Sequence, residues 1–150
     1  MATDRFVYVT YIRAPQQKVW DYLTTPEFQK QYFFGAIQTS RWEKGASWEM
    51  KKPDGRVTDS GEILEVDPPR RAVIKWRSDW NPEIQAEGYG RCAYELEVAD
   101  ETTKLTIIHE MDVSDSKLVK AVGGGWPKIL SGLKTLLETG EPLSPTVKAA

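Results

Sequence analysis

The chain has one histidine and one cysteine among its 150 residues, which narrows the chemistry open to it. His109 shares strand parity with Leu105, Ile107 and Met111, so its imidazole is expected to point inward. There it would be a satisfied core residue, a polar anchor for a ligand, or an acid/base group at a cavity wall. Glu62 shares parity with Leu64 and Val66 and is the second acid/base candidate, if it too points inward. Its bland alternative is a carboxylate in water at the sheet edge or cavity mouth. Cys92 alternates with Tyr94 and Leu96 and reads as an inert core thiol. One His and one Cys cannot build an N/S metal site alone, so neither metal nor cofactor is expected.

Other motifs fail on context. Gly88-Tyr89-Gly90-Arg91-Cys92-Ala93 fits G-x-G-x-x-A, but it precedes an expected strand. A dinucleotide fingerprint must follow a strand and open a helix. Ser114 to Lys117 and Ser131 to Lys134 match S-x-x-K without that chemistry's companion motifs. No Ser-His-Asp or Cys-His arrangement can be argued from spacing. Gly123-Gly124-Gly125 could approach an anion at a helix start, or let a helix bend or pass close to a sheet.

Composition sets the class. Hydrophobic residues make up 40% and charged residues 28%, ordinary for a globular protein. A net charge of -2, with basic and acidic residues interspersed, argues against nucleic acid. No apolar run is long enough for membrane insertion, and residues 1–5 lack the apolar stretch of a signal peptide. With no internal disulfide possible, a cytoplasmic location is expected. Six Trp, six Tyr and four Phe are many rings for this length. They imply either a well-filled core or a ring-lined cavity.

The elements that must position these residues follow from periodicity. Residues 5–12 are β-branched and aromatic and read as a strand. Ala14-Pro15 ends it, and Val19, Trp20, Tyr22 and Leu23 mark a helical stripe. Thr25-Pro26-Glu27 opens a second short helix reaching about Gln31, and Tyr32, Phe33 and Phe34 cluster before Gly35. From Ile37 to Met111 the period becomes two, with turns at Pro53-Asp54-Gly55, Asp67-Pro68-Pro69 and Asp100-Glu101-Thr102. Residues 78–88 read as a loop. Leu118, Val119, Val122, Trp126, Ile129, Leu130, Leu133, Leu136 and Leu137 then follow helical spacing up to Gly140. Pro127 and the glycine run would kink this helix or split it. The order predicts an α+β domain over residues 1–140, with a tail over 141–150. About seven antiparallel strands, in the order β-α-α-β6-α, would wrap a long C-terminal helix and leave an internal cavity.

Ala14-Pro15 with Val19-Trp20, Thr25-Pro26-Glu27, Gly45 before Trp48, the run Gly61 to Arg71, His109-Glu110, and Gly125-Trp126 followed by Leu130, Leu133, Leu137 and Gly140 carry a resemblance. In joint order and spacing they resemble the helix-grip (SRPBCC) superfamily of START domains, polyketide cyclases and birch-pollen-allergen-like proteins. The nearer likeness is to the branch related to the activator of heat-shock protein 90 ATPase. The superfamily hosts carriers, sequestering proteins, cyclases and co-chaperone domains, so the likeness speaks to fold more than to function.

The leading expectation is non-catalytic binding of a small hydrophobic ligand, aromatic or acyl, in the cavity. By parity and by the resemblance, the lining from the sheet is Trp48, Met50, Trp76, Tyr94, Leu96 and His109, and from the helix Trp126, Ile129, Leu130 and Leu133. Phe33 and Phe34 would gate one end. The first alternative is a module acting on a chaperone or other protein partner, with a homodimer also open. It would need a surface hot spot, and no exposed apolar run is evident in the sequence. The second is a cyclase or hydrolase using His109 and Glu62, for which the inventory is sparse.

Overall fold

The computed structural model describes residues 3–143. Residues 144–150, most of the expected tail, lie outside the described residues. The chain runs β1 (Asp4–Ile12), α1 (Gln16–Thr24), α2 (Pro26–Gln29), β2 (Ile37–Ser40), β3 (Ser47–Lys51), β4 (Val57–Asp67), β5 (Arg71–Ser78), α3 (Pro82–Gln85), β6 (Gly90–Ala99), β7 (Thr102–Met111) and α4 (Lys117–Thr139). The seven strands form one antiparallel sheet in the order β1-β7-β6-β5-β4-β3-β2. Each hairpin joins neighbours, and β1 returns to pair with β7. The sheet curves, and α4 covers its apolar face.

Parity explains the burial. On β7, Thr103, Leu105, Ile107, His109 and Met111 are buried and alternate with half-buried residues. β6 shows the same period through Cys92, Tyr94 and Leu96. The antiparallel register then sets cross-strand rows. One reads Ile63, Ile74, Cys92, His109 and Phe6 across five strands. Another reads Trp48, Gly61, Trp76 and Gly90, alternating indole and glycine. A third reads Gln38, Met50, Asp59 and Ser78.

α4 is one continuous helix. Ser116 caps its start by accepting from the Val119 N–H, and Gly140, at φ 82°, ends it in the left-handed region. The glycine run allows close approach rather than a break. A Cβ on Gly123 would already touch the Phe6 ring of β1 at 3.4 Å.

Two local expectations change. The loop over 78–88 contains α3, whose Asn81 side chain accepts from the Glu83 and Ile84 N–H groups. Asn81-Pro82-Glu83 is a helix-start signal. Glu62 does not point inward. It lies opposite Ser47 and Lys75, while Gly61 faces Trp48 and Trp76, and Ile63 faces Ile74. A bulge between Ile63 and Glu65 resets the parity, so Leu64 and Val66 are no guide to Glu62.

Candidate functional site

Side chains from the inner face of the sheet meet Trp126 of α4 at a cluster of rings. Trp48 and Trp76 have ring centroids 4.3 Å apart. Trp76 also meets Trp126 of α4 edge-on at 6.1 Å, and Trp126 meets Tyr94 at 6.0 Å. Tyr94 Oη and Trp48 Nε1 both donate to Gln38 Oε1, at 3.0 Å each. The contacts therefore close into a circuit: Gln38, Trp48, Trp76, Trp126, Tyr94 and back to Gln38. His109 sits between two of its members. Its ring is 4.8 Å from that of Trp76, and its Nδ1 accepts from Trp126 Nε1 at 3.3 Å.

All six of these residues are buried. The helical side of the cluster continues through Ile129, Leu130 and Leu133, and the sheet side includes Met50 and Leu96, all buried. Phe33 packs edge-on against Trp126 at 5.7 Å. Half-buried Phe34 holds φ 55°, a left-handed backbone that a bulky residue seldom adopts. The turn carrying these two rings is pinned to the body. Tyr32 donates to the Tyr22 carbonyl at 2.7 Å, and a Cβ on Gly132 of α4 would touch Tyr32 at 3.5 Å. The ring and helix residues expected at the cavity thus come together, in mutual contact; Glu62 stands apart on the outer face.

Sequence reasoning missed three buried polar residues here. Gln29 of α2 donates to the Leu23 carbonyl at 2.7 Å and accepts from the Gln38 N–H at 2.6 Å. It thereby ties both short helices to β2. Gln38 then presents its carboxamide to the rings. Asp59 accepts from Trp76 Nε1 at 2.8 Å and from Ser78 Oγ. For Asp59 a signal existed, since it shares parity with Ile63 ahead of the bulge. Gln29 and Gln38 carried none, because their polarity reads as solvent exposure.

Burial dominates the electrostatics. It lowers the His109 pKa from 6.5 to about 3, so the imidazole is neutral at pH 7. Burial raises the Asp59 carboxyl, against the hydrogen bonds from Ser78, Thr58 and Trp76. Burial also pushes the Cys92 thiol and the Tyr94 phenol well up. A thiol held protonated is a poor nucleophile and a poor metal ligand. Among the described residues, no group of three or more His, Cys, Asp or Glu side chains could hold a metal ion.

Two further surfaces stand away from the cluster. A groove of about 410 Å³ runs between the β1–α1 junction at Arg13 to Gln16 and the β6–β7 turn at Val98 and Asp100 to Thr103. It shares no residue with the rings. On edge strand β1, Val7, Val9 and Tyr11 are 45%, 44% and 50% exposed on the outer face. The apolar row continues inward from Val7 through Ile108, Ala93 and Val73. The sequence alone did not reveal this exposed row. No helix among the described residues is long and apolar enough to cross a membrane.

A curved antiparallel sheet closed by one long C-terminal helix, with rings at their junction, defines a helix-grip domain of the SRPBCC type. The chain belongs to the family described as activator of Hsp90 ATPase homolog 1-like protein, whose model matches residues 13–138. CalU16 from Micromonospora echinospora is similar in structure, at TM-score 0.74 and 22% identity, covering 94% of this chain and 69% of that one. The Aha1 dimer from Colwellia psychrerythraea superposes at TM-score 0.73 and 15% identity, covering 91% and 98%. A Plasmodium falciparum protein described as an HSP90 activator superposes at TM-score 0.70 and 19% identity, covering 89% and 96%. A comparison with curated proteins found no match.

Proposed function

We propose that this domain binds a small hydrophobic molecule, aromatic or acyl, non-covalently between the sheet and α4. The observation that carries this reading is the closed circuit of Gln38, Trp48, Trp76, Trp126 and Tyr94 around His109. Three indoles give a large, flat contact area, and few polar groups among them fix orientation. Because the rings touch, entry requires them to part. Phe33 and Phe34, on the turn after α2, are the gate: Phe33 leans directly on Trp126. The acid/base pair of the second alternative, His109 with Glu62, is not assembled: Glu62 faces away, and His109 is held neutral with Nδ1 accepting from Trp126. The role is therefore that of a carrier, sensor or sequestering protein, and the lone buried thiol suits a reducing cytoplasm. Native mass spectrometry tests this with the protein as purified and after mixing with 2-isopropenylnaphthalene. A one-to-one complex that dissociates on denaturation is expected; bare protein throughout would overturn the reading.

A second reading is favoured by the exposed row of Val7, Val9 and Tyr11 on β1. An apolar row on an edge strand suits docking of another protein, either a chaperone ATPase or a second copy of this chain. The descriptions of the Colwellia and Plasmodium proteins are in keeping with both partners. Light scattering and the rate of an Hsp90 ATPase, each measured with wild type and Val9→Glu, test it. Loss of self-association or of stimulation in the variant is expected. A monomer without effect on the ATPase would contradict it.

A further inference from the structure

Two buried nitrogens in the ring cluster, His109 Nε2 and Gln38 Nε2, have no hydrogen-bond partner among the described residues. Their chemistry follows from their neighbours. Trp126 Nε1–H is a donor only, so the His109 Nδ1 it meets must be unprotonated. A neutral imidazole then carries its proton on Nε2, which is a buried N–H donor. Trp48 Nε1–H is likewise a donor only, so the atom of Gln38 it meets must be the amide oxygen. Gln38 Nε2 is therefore the free end, with two N–H donors. Flipping the amide would set it against the indole N–H.

Both unmet groups are donors: Gln38, 1% exposed, is a member of the circuit, and His109, 0% exposed, packs against two of its members, Trp76 and Trp126. Buried donors left unpaired are costly, and native interiors rarely keep them without a use. A plain hydrocarbon between the rings would leave them unpaired. A cation would be repelled by them, and the one carboxyl bonded to the circuit, Asp59, already accepts from Trp76 Nε1 and Ser78 Oγ and has its ionised form disfavoured by burial. An anion would find no positive charge, because burial holds the imidazole neutral and the circuit contains no Lys or Arg. Resting on the binding reading above, we propose that the molecule this site takes is an uncharged aromatic compound bearing a carbonyl-type acceptor oxygen that pairs with one of these buried donors, the His109 Nε2–H or the Gln38 amide.

Three probes of nearly one shape separate the possibilities by calorimetry at pH 7. They are 2-acetylnaphthalene, 2-isopropenylnaphthalene, which replaces the oxygen by a methylene group, and 2-naphthoate, which adds charge. The ketone is expected to bind about tenfold tighter than the hydrocarbon and tighter than the carboxylate. Within each variant, His109→Phe or Gln38→Met, the ratio of ketone to hydrocarbon affinity is the readout, and it is expected to fall in the variant that removes the donor the oxygen meets; an unchanged ratio in both would overturn the acceptor assignment. As a readout free of mutation, ketone binding should shift the His109 Nε2 resonance in ¹⁵N spectra and slow exchange of its proton; the hydrocarbon should do neither. Equal affinity for ketone and hydrocarbon would overturn the acceptor assignment and leave the binding reading standing. Tighter binding of 2-naphthoate would overturn the neutral assignment. Failure of all three to bind would overturn both readings.

Discussion

Trp48 and Trp76 stand on strands two apart in the sheet, yet their ring centroids are only 4.3 Å apart. The residue between them is Gly61, which pairs with both. Neighbouring strands lie about 4.8 Å apart, so next-but-one side chains normally have a third side chain between them. Here there is none, and the two indoles lean together over bare backbone.

Gly61→Ala is therefore expected to be among the most damaging single-methyl changes in the chain. A Cβ there would fall 1.6 Å from the Lys75 carbonyl oxygen, a backbone atom that cannot step aside. The loss should exceed about 4 kcal/mol, the range reserved for strained or overpacked interiors. Denaturant unfolding followed by circular dichroism checks it. A native-like midpoint would mean that the β4–β5 ladder tolerates a side chain at Gly61.

His109 links stability to pH. Its pKa falls from 6.5 to about 3 on burial, so the unfolded chain takes up the proton before the folded one does. The stabilisation is thus complete above pH 6.5 and is lost as pH falls toward about 3. The slope is about 1.4 kcal/mol per pH unit, or about 2 kcal/mol between pH 8 and pH 5. Urea midpoints of wild type and His109→Phe across this range isolate the contribution, since the variant lacks it. Parallel pH profiles for the two proteins would refute the neutral, buried imidazole.

Asp59 gives the opposite sign. Its carboxyl is raised by burial, so ionisation at neutral pH costs stability that is present in full only below the usual carboxylate range. Asp59→Asn keeps an acceptor for Trp76 Nε1 and Ser78 Oγ, the two donors on Asp59 Oδ2, and removes the charge. At pH 7 it is expected to be at least as stable as wild type. Asp59→Ala leaves two buried donors unpaired and should cost about 1–3 kcal/mol. Equal behaviour of the two variants in thermal melts would show that the carboxyl oxygen is not what holds the Trp76 indole.

Much of this arrangement was legible in the residues because period two carries burial directly. The alternation over residues 90–98 and 103–111 placed Cys92, Tyr94, Leu96 and His109 inward, and helical spacing placed Trp126, Ile129, Leu130 and Leu133 on the face of α4 that meets them. Parity fails where the register shifts. The β4 bulge lies between Glu62 and the residues that would orient it, so parity with Leu64 and Val66 does not tell which face its carboxyl takes. Gln29 and Gln38 were illegible as core for another reason. A buried polar side chain is stable only through its partners, and the Gln38 carboxamide finds them in Trp48 and in Tyr94, the latter 56 residues away. The outer row from Val7 to Val73 joins four strands and becomes contiguous only when they pair.

The central claim, that the ring circuit is a binding site as well as core, is tested most directly by the indole N–H signals of the six tryptophans. Three belong to the circuit, Trp48, Trp76 and Trp126, and three, Trp20, Trp42 and Trp80, lie outside it. Titrating ¹⁵N-labelled protein with 2-acetylnaphthalene should shift the first three saturably, in step with one another, and leave the exposed Trp80 unmoved. Shifts confined to Trp20, Trp42 or Trp80, or no saturable shift at all, would contradict the account and leave the cluster as core alone.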